Sequence, residues 1–264
     1  MLGKLIKYEM KSSARYLLPL YVSVLILAVV NRLGALWLQN MPGSSTWEGL
    51  LMFFYVLLSI SLFVVTGVGI LVRFYHNLLG QEGYLMFTLP VSTSANLFAK
   101  LISAIFWIIA SMLVFFLSVL LLTFSSTWQI SDIIDWISRT FSGFELGAVF
   151  VLLEICLLVL LSLASFVLLC YLSMSIGRLA NRQKLLLSVA AFLALQVVIS
   201  TLSVIFLSHN AAWLSTSISA WIDSMSPQAA IHGVLLGSCL GALVECAILY
   251  IPCWLLLKNK LNLS

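Results

Sequence analysis

The 264-residue chain is 62% hydrophobic and charged at only 8% of its positions, with mean hydropathy +1.15 and 13 Lys and Arg against 9 Asp and Glu. A soluble domain carries about 25% charged residues, so there are too few ionic groups here to cover a water-facing globule, and the chain reads as an integral membrane protein. The formal net charge of +4 is modest and spread over separate segments, which argues against nucleic acid as a partner.

The first element is a basic amphipathic helix. Lys4, Lys7, Lys11 and Arg15 accompany an apolar face of Leu2, Leu5, Ile6 and Met10, a pattern that binds anionic lipid headgroups beside a membrane. Six apolar segments follow, at 17–38, 49–72, 101–123, 147–171, 185–207 and 233–257. Each is long enough to cross ~30 Å of hydrocarbon as a helix rising ~1.5 Å per residue. Their Leu, Ile, Val and Phe runs do not alternate, which excludes the period-two strands of a barrel. The fold class is all-α: a polytopic protein of six spans forming one membrane domain, 1–264, whose connections are too short for a soluble domain. The first span is too long for a signal-peptide core, and GALWLQN after it lacks a small-residue cleavage pattern.

Basic residues follow the alternation of the spans. Lys4, Lys7, Lys11, Arg15, Arg73, Lys100, Arg178, Arg182, Lys184, Lys258 and Lys260 are 11 of the 13 Lys and Arg, and all fall on one side. The positive-inside rule makes that side, with both termini, cytoplasmic, and the location the cell membrane. On the other side lie Glu48, Asp132, Asp135, Glu145 and Asp223, with six of the eight tryptophans (Trp37, Trp47, Trp128, Trp136, Trp213 and Trp221). An indole there can keep its N–H wet. Ile130, Ile133, Ile134, Ile137 and Phe141 recur at the spacing of an interfacial helix.

Between spans two and three, the cytoplasmic run 80–93 contains Leu85, Met86, Phe87 and Leu89, which water disfavours. Gly80 and Gly83 permit tight turns, and Pro90 ends any short helix. Two readings stand: a loop dipping into the inner leaflet, or a docking wedge with Tyr84, Met86 and Phe87 as anchors. Here RFYHNLLGQEGYLMFTLPVSTSANLFAK resembles the first cytoplasmic loop of bacterial ABC-transporter permeases of the type V exporter class. The opening MLGKLIKYEMKSSARYLLPLYVSVLILAVVNRL and the closing LLLKNKLNLS are similar to theirs, so the resemblance spans essentially the whole chain. It implies that the loop forms a coupling helix against a separate ATPase subunit, with Gln81, Glu82, Gly83, Tyr84, Leu85, Met86, Phe87, Thr88, Leu89 and Pro90 in the contact. Gln81 stands where the family shows an acidic residue. The resemblance also implies a second permease, identical or paralogous, but does not identify the cargo; the long apolar spans and outer-leaflet helices fit a lipid, a hydrophobic peptide or an amphipathic antibiotic. The sequence holds no Gly-x4-Gly-Lys-Ser/Thr phosphate loop, so ATP and Mg are expected on the partner ATPase and no cofactor or metal in this chain.

Polar groups within spans need a partner, a proton or water, because a charge at the bilayer centre costs roughly 2.5–3.5 kcal/mol. Glu245 is twelve residues from either end of the last span and continues the register Gly233, Gly237, Gly241. That ridge reads either as a helix-packing seam with a neutral Glu245 bonded across to Gln196, or as a polar feature of a transport path. Arg32 and Glu154 lie ~9 and ~10 Å below the outer boundary, as an ion pair or as two separate snorkelling side chains. Cys156, Cys170, Cys239, Cys246 and Cys253 lie within spans and lack the companions of a zinc motif. Three function classes remain: the exporter subunit, an ion-coupled secondary transporter using Glu245, and a membrane enzyme. The last is weakest, since His76, His209 and His232 form no catalytic motif.

Overall fold

The computed structural model describes residues 2–38, 44–79, 92–123, 135, 138, 146–179, 183–209, 216 and 226–259. These residues are almost entirely helical, with no strand among them, and six helices are long and apolar enough to cross a membrane. The chain is an all-α, multi-pass membrane protein, as its composition requires. The helices are α1 (Leu2–Leu38), α2 (Ser44–Phe74), α3 (Thr93–Thr123), α4 (Leu146–Gly177), α5 (Lys184–His209) and α6 (Pro227–Asn259). The segment 80–90, expected to form a coupling helix, and the interfacial helix expected at 130–141 lie outside the described residues, apart from positions 135 and 138.

Most helices overrun the apolar segments that mark them. The basic N-terminal segment and the first span are one unbroken helix of 37 residues, even though Pro19 lies inside it. Pro19 deletes the backbone bond to the carbonyl of Arg15, and this happens at the start of the apolar stretch, where polar surroundings can serve that carbonyl. At ~1.5 Å per residue α1 is about 55 Å long, well over the hydrocarbon thickness, so its first turns stand clear of the apolar layer. α2 runs past Phe74 into a π-helical turn, Tyr75–Leu79, a local widening that recurs at functional sites.

The helices group into two compact units: α1, α2 and α3 from Ala95 onward form the first, and α4 to α6 the second, which also takes in the π-helical turn Tyr75–Leu79 and the first two residues of α3. In the first, the buried residues recur at steps of four and three: Leu17, Tyr21, Val24 and Ala28 on α1, Tyr55, Ser59, Leu62 and Thr66 on α2, and Lys100, Ala104, Trp107 and Ser111 on α3. A period of 3.5 keeps one stripe facing its neighbours in left-handed packing. Much of the stripe is polar. The Tyr21 hydroxyl donates to the Trp107 carbonyl at 3.1 Å and shares a hydrogen bond with Ser111 Oγ at 2.8 Å. Thr66 Oγ1 meets the same Ser111 at 2.8 Å, and Tyr55 meets Ser118 at 2.8 Å. In lipid, where burying apolar surface gives no net drive, such bonds contribute about 0.6 kcal/mol each and fix which faces meet. Tyr55 opposite Ser118 and Thr66 opposite Ser111 make α2 antiparallel to α3, while Glu9 with Lys100 and Tyr21 with Ser111 make α1 parallel to α3.

The second unit is built on α4 and α6. Cys239 Sγ donates to the Glu154 carbonyl at 3.7 Å and Cys246 Sγ to the Leu161 carbonyl at 3.5 Å, both across 85 residues, so the two helices run parallel. Cys246 also reaches Ser165 Oγ at 3.1 Å. α4 closes with Arg178 N–H donating to Met174 O and Leu179 N–H to Ile176 O, and α5 runs antiparallel to it, with Gly177 beside Ser188. Phe166 and Phe192 meet edge to face, with centroids 6.4 Å apart. Among the described residues each unit gathers its cations at one end, Lys4, Lys7, Lys11, Arg15, Arg73 and Lys100 in the first and Arg178, Lys184 and Lys258 in the second, with Arg32 near the other end of α1 as the exception.

Candidate functional site

Glu9 is the only acidic residue before Glu48, and the sequence reading passed over it among four cations. It sits on the face of α1 turned away from those cations, because Lys4, Lys7, Lys11 and Arg15 fall within a narrow arc of a helix turning ~100° per residue, and Glu9 lies well round from it. Its carboxylate joins two other helices. Arg73 Nη2, in the last turn of α2, donates to Glu9 Oε2 at 2.7 Å, and Lys100 Nζ, two turns into α3, donates to Oε1 at 2.7 Å. Arg73 Nη1 donates to the Glu9 carbonyl at 2.9 Å and also to Ser13 Oγ.

The side chains of Lys100, Glu9 and Arg73 are only 4%, 11% and 17% exposed. Charges this far from water attract strongly, and each depends on the others to offset its desolvation. The clamp carries one negative and two positive charges and ties together the start of α1, the end of α2 and the start of α3. Those last two ends bracket residues 80–91. One turn before Lys100 on the same face, Asn96 is buried with neither amide atom bonded within the structure. A buried amide without partners costs about 1–3 kcal/mol.

The predicted intramembrane residues fall into different surroundings. Glu154 is held by His232, whose Nδ1 is 3.0 Å from both carboxylate oxygens, and this links α4 to α6 near the ends that carry no cations. The parallel register of those helices sets that pair, which depth-matching of Glu154 to Arg32 missed. Arg32 is half-buried on α1 in the other unit. Glu245 is half-buried and Gln196 is exposed. Gly233 is half-buried, whereas a Cβ at Gly237 or Gly241 would meet nothing within 4 Å. The packed stripe of α6 is Cys239, Cys246 and Cys253, about 200° around the helix from Gly241 if counted from Cys239. The glycine ridge is thus open in the single chain. Gly241→Ala should leave the unfolding midpoint of the purified chain unchanged or raise it by the helix-propensity gain of up to ~1 kcal/mol; a clear loss of stability would mean that the ridge is packed.

Among the described residues no three His, Cys, Asp or Glu converge as a metal site would require. No protein family, curated protein or solved structure matches the chain.

Proposed function

We propose that the chain is the membrane subunit of an ATP-driven exporter of the ABC type V class, with its basic ends in the cytoplasm and both ATP and Mg bound by a separate ATPase. The observation that carries this reading is the clamp of Glu9, Arg73 and Lys100. It joins three helices through Arg73 and Lys100, the two cations that flank in sequence the segment resembling a coupling helix. Force applied by an ATPase at 80–90 would reach α2 and α3 directly, and α1 through Glu9, so that three spans move as one body. A second permease completes the pathway, and the open glycine ridge of α6 leaves room for a close neighbour. The hydrogen bonds of Tyr21, Tyr55, Thr66, Ser111 and Ser118 in the polar seam of the first unit hold its helices together.

Co-purification tests the proposal. A nucleotide-binding protein should be recovered with the intact chain from its native membrane, and recovery should fall at least about tenfold when Glu82 and Phe87 are both replaced by alanine, the loss expected for anchors worth about 1.4 kcal/mol or more. Uptake by the purified chain alone, driven by a proton gradient and lost on Glu245→Gln, would replace this reading with that of an ion-coupled transporter.

A further inference from the structure

Lys4, Lys7, Lys11 and Arg15 are all exposed, as is Tyr8 between them, and no carboxylate among the described residues pairs with any of the four cations. They lie at steps of three, four and four, which places them on one edge of α1. The opposite edge is occupied: Glu9, Ser13 and Leu17 are buried within the first unit. An amphipathic helix lying flat on a membrane would turn its apolar face to lipid, but here that side of the helix is turned to protein, and α1 continues without a break into its span. The basic edge therefore stands upright as a ladder, with each rung at a different depth.

We propose that this edge is a binding strip for anionic phospholipid of the leaflet at the basic end of the protein. Arg15 sits two residues before the uncharged apolar stretch that begins at Leu17. Lys11 follows about 6 Å further out, Lys7 about 12 Å and Lys4 about 16 Å, at ~1.5 Å per residue. The headgroup layer adds only about 5–7 Å to each side of the hydrocarbon, so Arg15 and Lys11 reach lipid phosphates directly. Lys7 and Lys4 act across a screening length of about 8–10 Å. The buried face of α1 prevents the helix from rolling, which keeps the order of the rungs.

Titration of the purified full-length chain in neutral detergent with phosphatidylglycerol, and separately with phosphatidylcholine of the same acyl chains, tests this when bound lipid is counted by native mass spectrometry. The chain should prefer phosphatidylglycerol. Each headgroup-level cation contributes about fivefold, so Lys11→Gln with Arg15→Gln should weaken that lipid by tenfold or more, to about 25-fold, while Lys4→Gln with Lys7→Gln should weaken it by less than about threefold. The charge-conserving pair Lys11→Arg with Arg15→Lys should retain the preference, separating charge from folding. The proposal is overturned if wild type shows no preference, which would leave an acidic protein as the occupant of the edge. It is overturned equally if both glutamine pairs act alike, if the preference survives all four substitutions, or if inorganic phosphate at constant ionic strength abolishes it.

Discussion

Glu9→Ala is expected to destabilise the purified chain by about 3–5 kcal/mol, because it leaves Lys100 and Arg73 buried without their shared counter-charge. The size comes from what remains behind, since a lysine whose side chain is 4% exposed cannot recover its water without opening the helix ends. Glu9→Gln should cost less than alanine, as it keeps the shape and a hydrogen-bond acceptor while losing the charge. Glu9→Gln with Lys100→Met should recover part of the loss, because it removes one of the two buried cations whose charge Glu9 offsets. Arg73 keeps the Glu9 carbonyl and Ser13 in that double variant. Tryptophan-detected unfolding in detergent reads all three proteins, and equal midpoints for wild type and Glu9→Ala would remove the clamp from the account. Reconstituted with its ATPase, the partly rescued double variant separates stability from coupling. If the clamp transmits force to α1, ATP hydrolysis should persist while transport falls.

The second large effect is expected at Gly177, the last residue of α4. A Cβ built there would lie 1.9 Å from Ser188 Oγ, and 2.8 Å from both the Lys184 carbonyl and Ser188 Cα. Rotation of the serine relieves only the first contact, while the other two are backbone. Gly177→Ala would ordinarily gain up to ~1 kcal/mol of helix propensity, less at a helix end, against an overpacking cost of about 1–3 kcal/mol. The clash should win, and the α4 to α5 turn should be lost first. Cysteine accessibility at Cys170, measured with a membrane-permeant thiol reagent, should rise in step with a fall in the unfolding midpoint. An unchanged midpoint would show that α5 can move aside without cost. The contrast with Gly241→Ala is the control, since the same substitution meets nothing there.

Both effects act where helices touch, which is where hydropathy is least informative. Glu9 was visible as a lone acid in a basic segment, but its partners lie 64 and 91 residues away. Tyr21, Tyr55, Thr66, Ser111 and Ser118 were also visible, and their steps of seven within α3 and of eleven within α2 fit a helical stripe. They carry a signal that a search for apolar periodicity does not use. The cysteines at 239, 246 and 253 were read as a contact face and do face α4, at least at Cys239 and Cys246. The parallel reading of Gly237 and Gly241 put a seam where the single chain has open space.

Six spans, an all-helical class and the gathering of cations at alternate connections were determined by sequence alone. Each depends on a local sum, the transfer of about 20 consecutive side chains into a layer of fixed thickness, and that sum does not depend on what the helix touches. Which side of each helix is buried was decided only by the tertiary structure. A span surrounded by lipid is apolar on every face, so its packed stripe differs from its lipid-facing stripe in shape and hydrogen bonding rather than in hydrophobicity. Glu9 reaching Arg73 and Lys100, and His232 reaching Glu154, follow from the registers of three helices in one unit and two in the other, set by contacts far apart in the chain.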